Sequence, residues 1–285
     1  GLDIVTVLDR ADPRDAFVSG RYASLSDLPP GAVVGTSSLR RQAQIKHVRP
    51  DLEISHVRGN VETRLRKLEE GNYDAILVAC AGLERLGLGA RITDRIPVDT
   101  SLPAVGQAIV GIECKTDAQE LVGLLKGIED PASRQAIDAE RAFAARLEGS
   151  CESPIAGHAV IRGSSLHLQG LVAAADGSEC LADEISGPPD RGPSMGADLA
   201  DRLLARGAGP LQATGKSPGA GRRCQVSASG GRSARACRRL WAAASVCPLR
   251  SNMRPSAATT VASSGARVLA RRSASRARSF SPRPS

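Results

Sequence analysis

Between residues 32 and 79 one unit recurs: a short apolar run, a glycine or polar turn, then a capped amphipathic helix. "AVVG" (32–35) reads as a buried strand, "TSS" as a turn and Leu39–Val48 as a helix. "LEISHV" (52–57) is a second strand. Asn60 caps the next helix, which carries Val61, Leu65 and Leu68 on one face and is closed by Gly71. "YDAILVA" (73–79) is a third strand and "AGLERLGL" a further helical turn. Strands and helices alternating at this spacing fold into a largely parallel sheet with helical crossovers. The expected class is therefore α/β.

The flanks read differently. "LDIVTVLD" at the start is a strand that ends in a turn at Asp12-Pro13, with Asp12 and Asp15 read as turn residues. A chain opening directly on a strand reads as the middle of a domain. "SLPAVGQAIVGIEC" (101–114) reads as a linker leading into a strand, and residues 117–128 as a helix. Asp130-Pro131 is an N-cap followed by a first-turn proline. Its helix carries Ile137, Phe143 or Ala144, and Leu147 inward and ends at Gly149. "HAVIRG", "LHLQGLVAA" and "DEISG" are short strands, and residues 195–206 a last helix, together a small α+β domain.

The net charge of +8 hides two unlike parts. Residues 216–285 hold 15 basic and no acidic residues, which leaves 23 basic and 30 acidic groups before them. That last segment is rich in Ser, Ala, Gly, Pro and Arg and lacks apolar periodicity. It is expected to be disordered, because it buries too little apolar surface to offset chain entropy. A shifted reading frame would produce such a stretch; a basic arm for RNA is the competing reading. The seven cysteines, at 80, 114, 151, 180, 224, 237 and 247, fit neither a zinc site nor a redox pair. Neither a membrane-crossing run nor a signal peptide is expected.

Three places could carry chemistry. In "GTSSLRRQAQ" (35–44), Gly35 lets the chain turn. Thr36, Ser37 and Ser38 offer hydroxyls at a helix start, a natural anion site, and Arg40 and Arg41 add forked donors. The alternative is a capped helix with two solvated arginines. "HVRGNVETRLRK" (56–67) repeats the layout, with Arg58 at a strand end and Arg64 four residues beyond Asn60. In a parallel sheet both strand ends share the carboxyl edge, so the four arginines could face one polyanionic ligand. The third place is Cys151, in "LEGSCESPIAGHA" (147–159): a small buried residue, or the anchor of a thioether. Its place after a helix C-terminus argues against an activated thiolate. His158 reads as an ordinary strand residue.

Taken together, "DPRDAFVS" (12–19), "GTSSLRRQ" (35–42), "RGNVETRL" (58–65), "YDAILVACAGLERLGL" (73–88), "LPAVGQ" (102–107) and "RLEGSCESPIAGHA" (146–159) resemble the porphobilinogen deaminase (hydroxymethylbilane synthase) family in order and spacing. The resemblance runs from Gly1 to about residue 215. It implies a transferase of porphyrin biosynthesis that condenses four porphobilinogens into a linear tetrapyrrole and releases ammonia at each addition. It further implies a dipyrromethane cofactor, covalently attached to Cys151. Arg40, Arg41, Arg58 and Arg64 would pair with the pyrrole carboxylates, and Thr36 and Ser38 would add polar contacts. The implied architecture has three domains: remnants of domain 1 (1–13 and 103–128), a domain 2 resembling periplasmic binding proteins (14–102), and a small α+β domain 3 bearing the cysteine (129–215). The family's catalytic aspartate has no counterpart here, so the chain alone is expected to be inactive. A cytoplasmic monomer acting on a small molecule is expected, with neither membrane nor nucleic acid as partner. A non-catalytic module that binds carboxylates or tetrapyrroles is the alternative.

Overall fold

The computed structural model describes residues 1–115, 117–148 and 153–213. Gly149, Ser150, Cys151 and the basic segment 216–285, on which several expectations fall, lie outside the described residues.

The repeating unit folds as expected. Strands β3 (Val33–Gly35), β4 (Glu53–Ser55) and β5 (Ala75–Ala79) are parallel, with β3 between the other two. Helix α1 (Leu39–Val48) connects β3 to β4, α2 (Val61–Glu69) connects β4 to β5, and α3 (Cys80–Arg85) follows β5. The sheet gains two members that the periodicity does not announce: β2 (Asp15–Val18), antiparallel to β5, and β6 (Asp94–Ile96), antiparallel to β2. Asp15 is thus the first residue of a strand buried along its whole length, and not a turn residue. The segment "DAFV" has no alternation because both faces of this sheet are covered. Phe17, Val34, Ile45, Leu52 and Leu77 form one core. Val18, Leu65, Ile76, Val78 and Leu83 form a second. Each such side chain contributes roughly 1.5–3 kcal/mol on burial.

β1 (Leu2–Val7) pairs antiparallel with β7 (Gly111–Lys115) in a two-stranded sheet, next to α4 (Gln119–Lys126), which is shorter than the 117–128 expected. Leu2, Leu121, Leu124 and Ile128 in this region are exposed.

The remaining elements are α5 (Pro131–Arg146), β8 (Ile155–Arg162), β9 (Ser165–Ala173), β10 (Cys180–Gly187), α6 (Gly192–Ala205) and α7 (Ala208–Ala213). Asp130 caps α5 by accepting from the Ser133 backbone N–H at 2.7 Å. α6 begins three residues before the expected start, because Pro193 sits comfortably in its first turn. β10, β9 and β8 form an antiparallel meander covered by α5 and α6, with Phe143, Leu168, Leu199 and Leu203 fully buried. Among the described residues no helix is long and apolar enough to cross a membrane.

The α5–α6 contact depends on Gly196. A Cβ there would lie 2.3 Å from Ala139 O and 2.8 Å from Phe143 N, both backbone atoms that cannot step aside. Gly196→Ala is expected to cost about 1–3 kcal/mol through overpacking, despite alanine's better helix propensity. An unchanged urea midpoint would show that the helices have room to separate.

Candidate functional site

The two strand ends meet at one edge of the parallel sheet. Gly35 and Ser55 are neighbours in the ladder, and the Thr36 N–H donates to Ser55 O at 2.9 Å. Gly35 is required here for approach: a Cβ would lie 2.9 Å from Ile76 Cγ2 and from Tyr73 Cδ1. Thr36 is buried, and its hydroxyl accepts from the Ser38 N–H at 3.3 Å. Ser38 is the N-cap of α1, its hydroxyl 3.5 Å from the Arg41 N–H. The positive end of the α1 dipole therefore opens at this edge.

Arg40 and Arg41, adjacent in sequence, have opposite fates. Arg41 donates through Nε and Nη2 to the two oxygens of Asp15, each at 2.9 Å, and through Nη1 to Leu77 O at 2.8 Å. Arg40 donates through Nη1 to Leu102 O at 2.6 Å, and its Nη2 stands 3.8 Å from Asp15 Oδ2. Its Nε and Nη2 are buried and make no hydrogen bond. Burial pushes the Arg40 guanidinium well below the ordinary arginine value; Asp15 opposes the shift and Arg41 reinforces it.

Arg64, half-buried on α2, donates through Nε to Gly59 O at 2.8 Å. Burial first, and the charge on Arg41 second, push its guanidinium down, so it shares the field of the α1 arginines. Arg58 is exposed at the turn before Asn60, and its carbonyl accepts from Lys67 Nζ at 3.1 Å. The structure thus gathers Thr36, Ser38, Arg40, Arg41 and Arg64 at one edge, with Arg58 at the solvent rim. Cys151 lies outside the described residues.

Two buried carboxylates tie distant segments together, Asp15 at this edge and Glu140 on α5, and local sequence reading misses both. Asp15, 1% exposed, also accepts from Gln107 Nε2 at 2.8 Å, across 92 positions of sequence. Gln107 sits between Gly106 (φ 73°) and Ala108 (φ 69°), and the left-handed alanine marks local strain. Glu140, fully buried on α5, receives a bidentate pair from Arg10 at 2.8 Å and 2.8 Å, across 130 positions. It also accepts the N–H groups of Gly106 at 2.7 Å and Ala159 at 2.6 Å. The available signal was chemical: an acid inside the apolar run "DAFV" and another within the inward-facing part of α5 each need a partner. Asp12 is also engaged. Burial opposes its ionisation, but Arg14 and Arg95 hold its carboxyl below the usual range. Burial pushes the nearby Cys80 thiol up to about 12, which makes it a poor nucleophile. Among the described residues no cluster could hold a metal ion.

Two family models match the chain. The one described as "Porphobilinogen deaminase, dipyromethane cofactor binding domain" covers residues 1–123, and "Porphobilinogen deaminase, C-terminal domain" covers residues 134–205. A porphobilinogen deaminase from Pelobacter propionicus is 52% identical over 207 residues, 73% of this chain and 66% of that relative. The chain therefore spans slightly under two thirds of that relative's length. A solved arginine-specific periplasmic binding protein from Salmonella typhimurium aligns over 45% of this chain and 59% of its own, at 15% identity and a TM-score of 0.26. A superposition that loose carries no argument.

His158, 9% exposed, lies in the field of the Arg10–Glu140 pair. Burial pushes its pKa down to about 4, with Glu140 opposing and Arg10 and Arg162 adding to the shift. Above the unfolded value of about 6.5 the ring is neutral in both states, and its contribution to stability is fully present. As pH falls from there toward 4, only the unfolded chain takes up the proton, and up to ~3 kcal/mol is lost. His158→Gln is expected to flatten the stability–pH curve between pH 6.5 and 4. Equal slopes in the two proteins would show that His158 is not the titrating group.

Proposed function

The chain belongs to the porphobilinogen deaminase family, and from that premise we propose that it carries a dipyrromethane on Cys151, cradles that group's carboxylates with arginines, and serves the stepwise condensation of porphobilinogen into a linear tetrapyrrole. The observation that carries this reading is Arg40. A buried guanidinium whose Nε makes no hydrogen bond, and whose Nη2 has only a carboxylate 3.8 Å away that is shared with Arg41, is costly unless an anion completes it. A planar carboxylate matches the fork of Nε and Nη2, so the residues present fit a group bearing acetate and propionate arms.

When bound, the dipyrromethane supplies the first two rings and the nucleophilic pyrrole carbon of the growing chain. The protein's own work is to hold carboxylates. Arg40 would receive one in surroundings shielded from water, where Coulomb attraction is little screened. Arg41, locked on Asp15, adds field without leaving its place. Arg64 and Arg58 extend the positive edge outward, and Thr36 and Ser38 line the helix start. Orienting the rings this way lowers the entropic part of the barrier.

The same geometry argues against turnover by this chain alone. Leaving ammonia requires an acid, and the developing cation requires a free carboxylate. Asp12 and Asp15 are both already neutralised by arginines. The proposed reading has three domains, 1–13 with 103–128, 14–102, and 129–215, and what supports it is that each sheet draws its strands from one of these ranges. The substrate would be porphobilinogen, met by a monomer in the cytoplasm, where cysteine stays reduced and available for a thioether.

Intact-mass measurement of chain purified from cells that make porphobilinogen is expected to show a dipyrromethane adduct, absent from Cys151→Ser. Arg40→Leu should lower its occupancy about tenfold or more, as loss of a charge-assisted pair implies. An unmodified thiol in the parent chain would defeat the proposal. With porphobilinogen added, the purified chain is expected to release no ammonia beyond the amount that adduct formation sets free; steady release would show that an acid is present after all.

A further inference from the structure

Helix α1 is wedged between two sheets. Its buried Ala43 packs in a cluster with Ala156, Leu171, Ala173, Cys180 and Ala182 of the β8–β10 meander, and with Leu102, whose carbonyl holds Arg40 Nη1. The turn at residues 174–178, between β9 and β10, lies directly on the helix. Gln42 Nε2 donates to Ala175 O at 3.1 Å, and His47 Nδ1 stands 3.2 Å from Gly177 O. Gly177 (φ 74°) fits so closely that a Cβ would lie 2.5 Å from Ala43 O and 2.9 Å from His47 N. The adjoining end of β9 also holds the segment after Cys151: the Ala173 N–H donates to Pro154 O at 3.0 Å.

We propose that this turn is a latch, with Gly177 as a positioning residue, that sets helix α1 and its ligand-facing Arg40 against the strand following Cys151. One stretch of backbone, residues 173–177, fixes both the helix that presents the guanidinium and the start of the strand four residues beyond the cysteine. The arginine and the thioether anchor would then be registered by the meander rather than by the α/β sheet alone. No ligand contact by Gly177, Gln42 or His47 is involved. The inference rests on the carboxylate-binding reading of Arg40 for its functional consequence, but not for the latch itself.

The test compares Gly177→Asn with Gly163→Asn. Asparagine tolerates positive φ, so both replacements suit their turns. Gly163 (φ 62°) has nothing within 4 Å of its Cβ position, whereas the clash at Gly177 persists. Hydrogen exchange on the full chain is expected to speed up about tenfold at the α1 amides in Gly177→Asn and to stay at the parental rate in Gly163→Asn. In a Cys151→Ser background, which leaves Arg40 free of tethered cofactor, calorimetric titration with porphobilinogen should show about tenfold weaker binding when Gly177→Asn is added and no change when Gly163→Asn is added. If Gly177→Asn does not fold, the double variant Gln42→Ala/His47→Ala removes both polar contacts and is expected to show the same pattern. Equal exchange in the variant and control would overturn the latch, as would faster exchange with unchanged affinity. If the Cys151→Ser chain binds no porphobilinogen, the carboxylate reading of Arg40 fails, and the exchange comparison alone decides the latch.

Discussion

The bidentate bond between Arg41 and Asp15 is the interaction on which the site's arrangement depends. It joins α1 to β2, the antiparallel strand inserted between β5 and β6, and Gln107 ties the same carboxylate to the connecting segment. With Asp15 1% exposed, removing either charge would strand the other in a dry environment, at a cost of about 3–5 kcal/mol. That cost is offset only while the geometry is complete. The pair therefore fixes the rotation of α1 about its axis, and so the direction in which the neighbouring Arg40 points.

Rotation alone does not fix position along the helix, and that comes from apolar contact. Ala43 is small and fully buried, and it lets the meander approach α1 closely enough for the turn at 174–178 to meet backbone atoms. A larger residue at Ala43 or Gly177 would hold the sheets apart. α1 thus belongs to two cores at once: Ile45 faces the α/β sheet, and Ala43 faces the meander. This explains why a helix with three cationic residues among its first eight, Arg40, Arg41 and Lys46, is nonetheless firmly packed.

Local chemistry was legible in the sequence to the degree that it was local. The limits of α1 match the reading from "GTSSLRRQ" because its cap, apolar spacing and end all lie within ten residues. The caps Asn60 and Asp130 are equally self-contained. β2 was missed because its four residues carry no period, and its identity as a strand comes from β5 and β6, more than fifty positions away. Asp15 looked like a turn residue for the same reason, since the acid is tolerable in a buried strand only because Arg41 and Gln107 reach it. The arginine edge could be anticipated as a group. Which of its members would be consumed by the protein and which left open could not, because Arg40 and Arg41 are identical in kind and differ only in what tertiary structure places beside them.

That difference is best judged against Glu140, which serves as an internal standard. It is as deeply buried as Arg40, yet its two oxygens receive Arg10, Gly106 N–H and Ala159 N–H, so every strong demand of the charge is met within the chain. The fold can evidently satisfy a buried ion completely where the ion's task is structural. At Arg40 it supplies one carbonyl, a carboxylate at 3.8 Å already committed to Arg41, and nothing for Nε. Among the described residues Arg40 is the one buried charge whose nitrogens the chain leaves without hydrogen bonds, and it lies in the first turn of α1. The free donors lie on one edge of a planar group and accept two oxygens in that plane. Such a fork pairs with a carboxylate or a phosphate alike, so the choice of a carboxylate comes from the family to which the chain belongs and not from the fork.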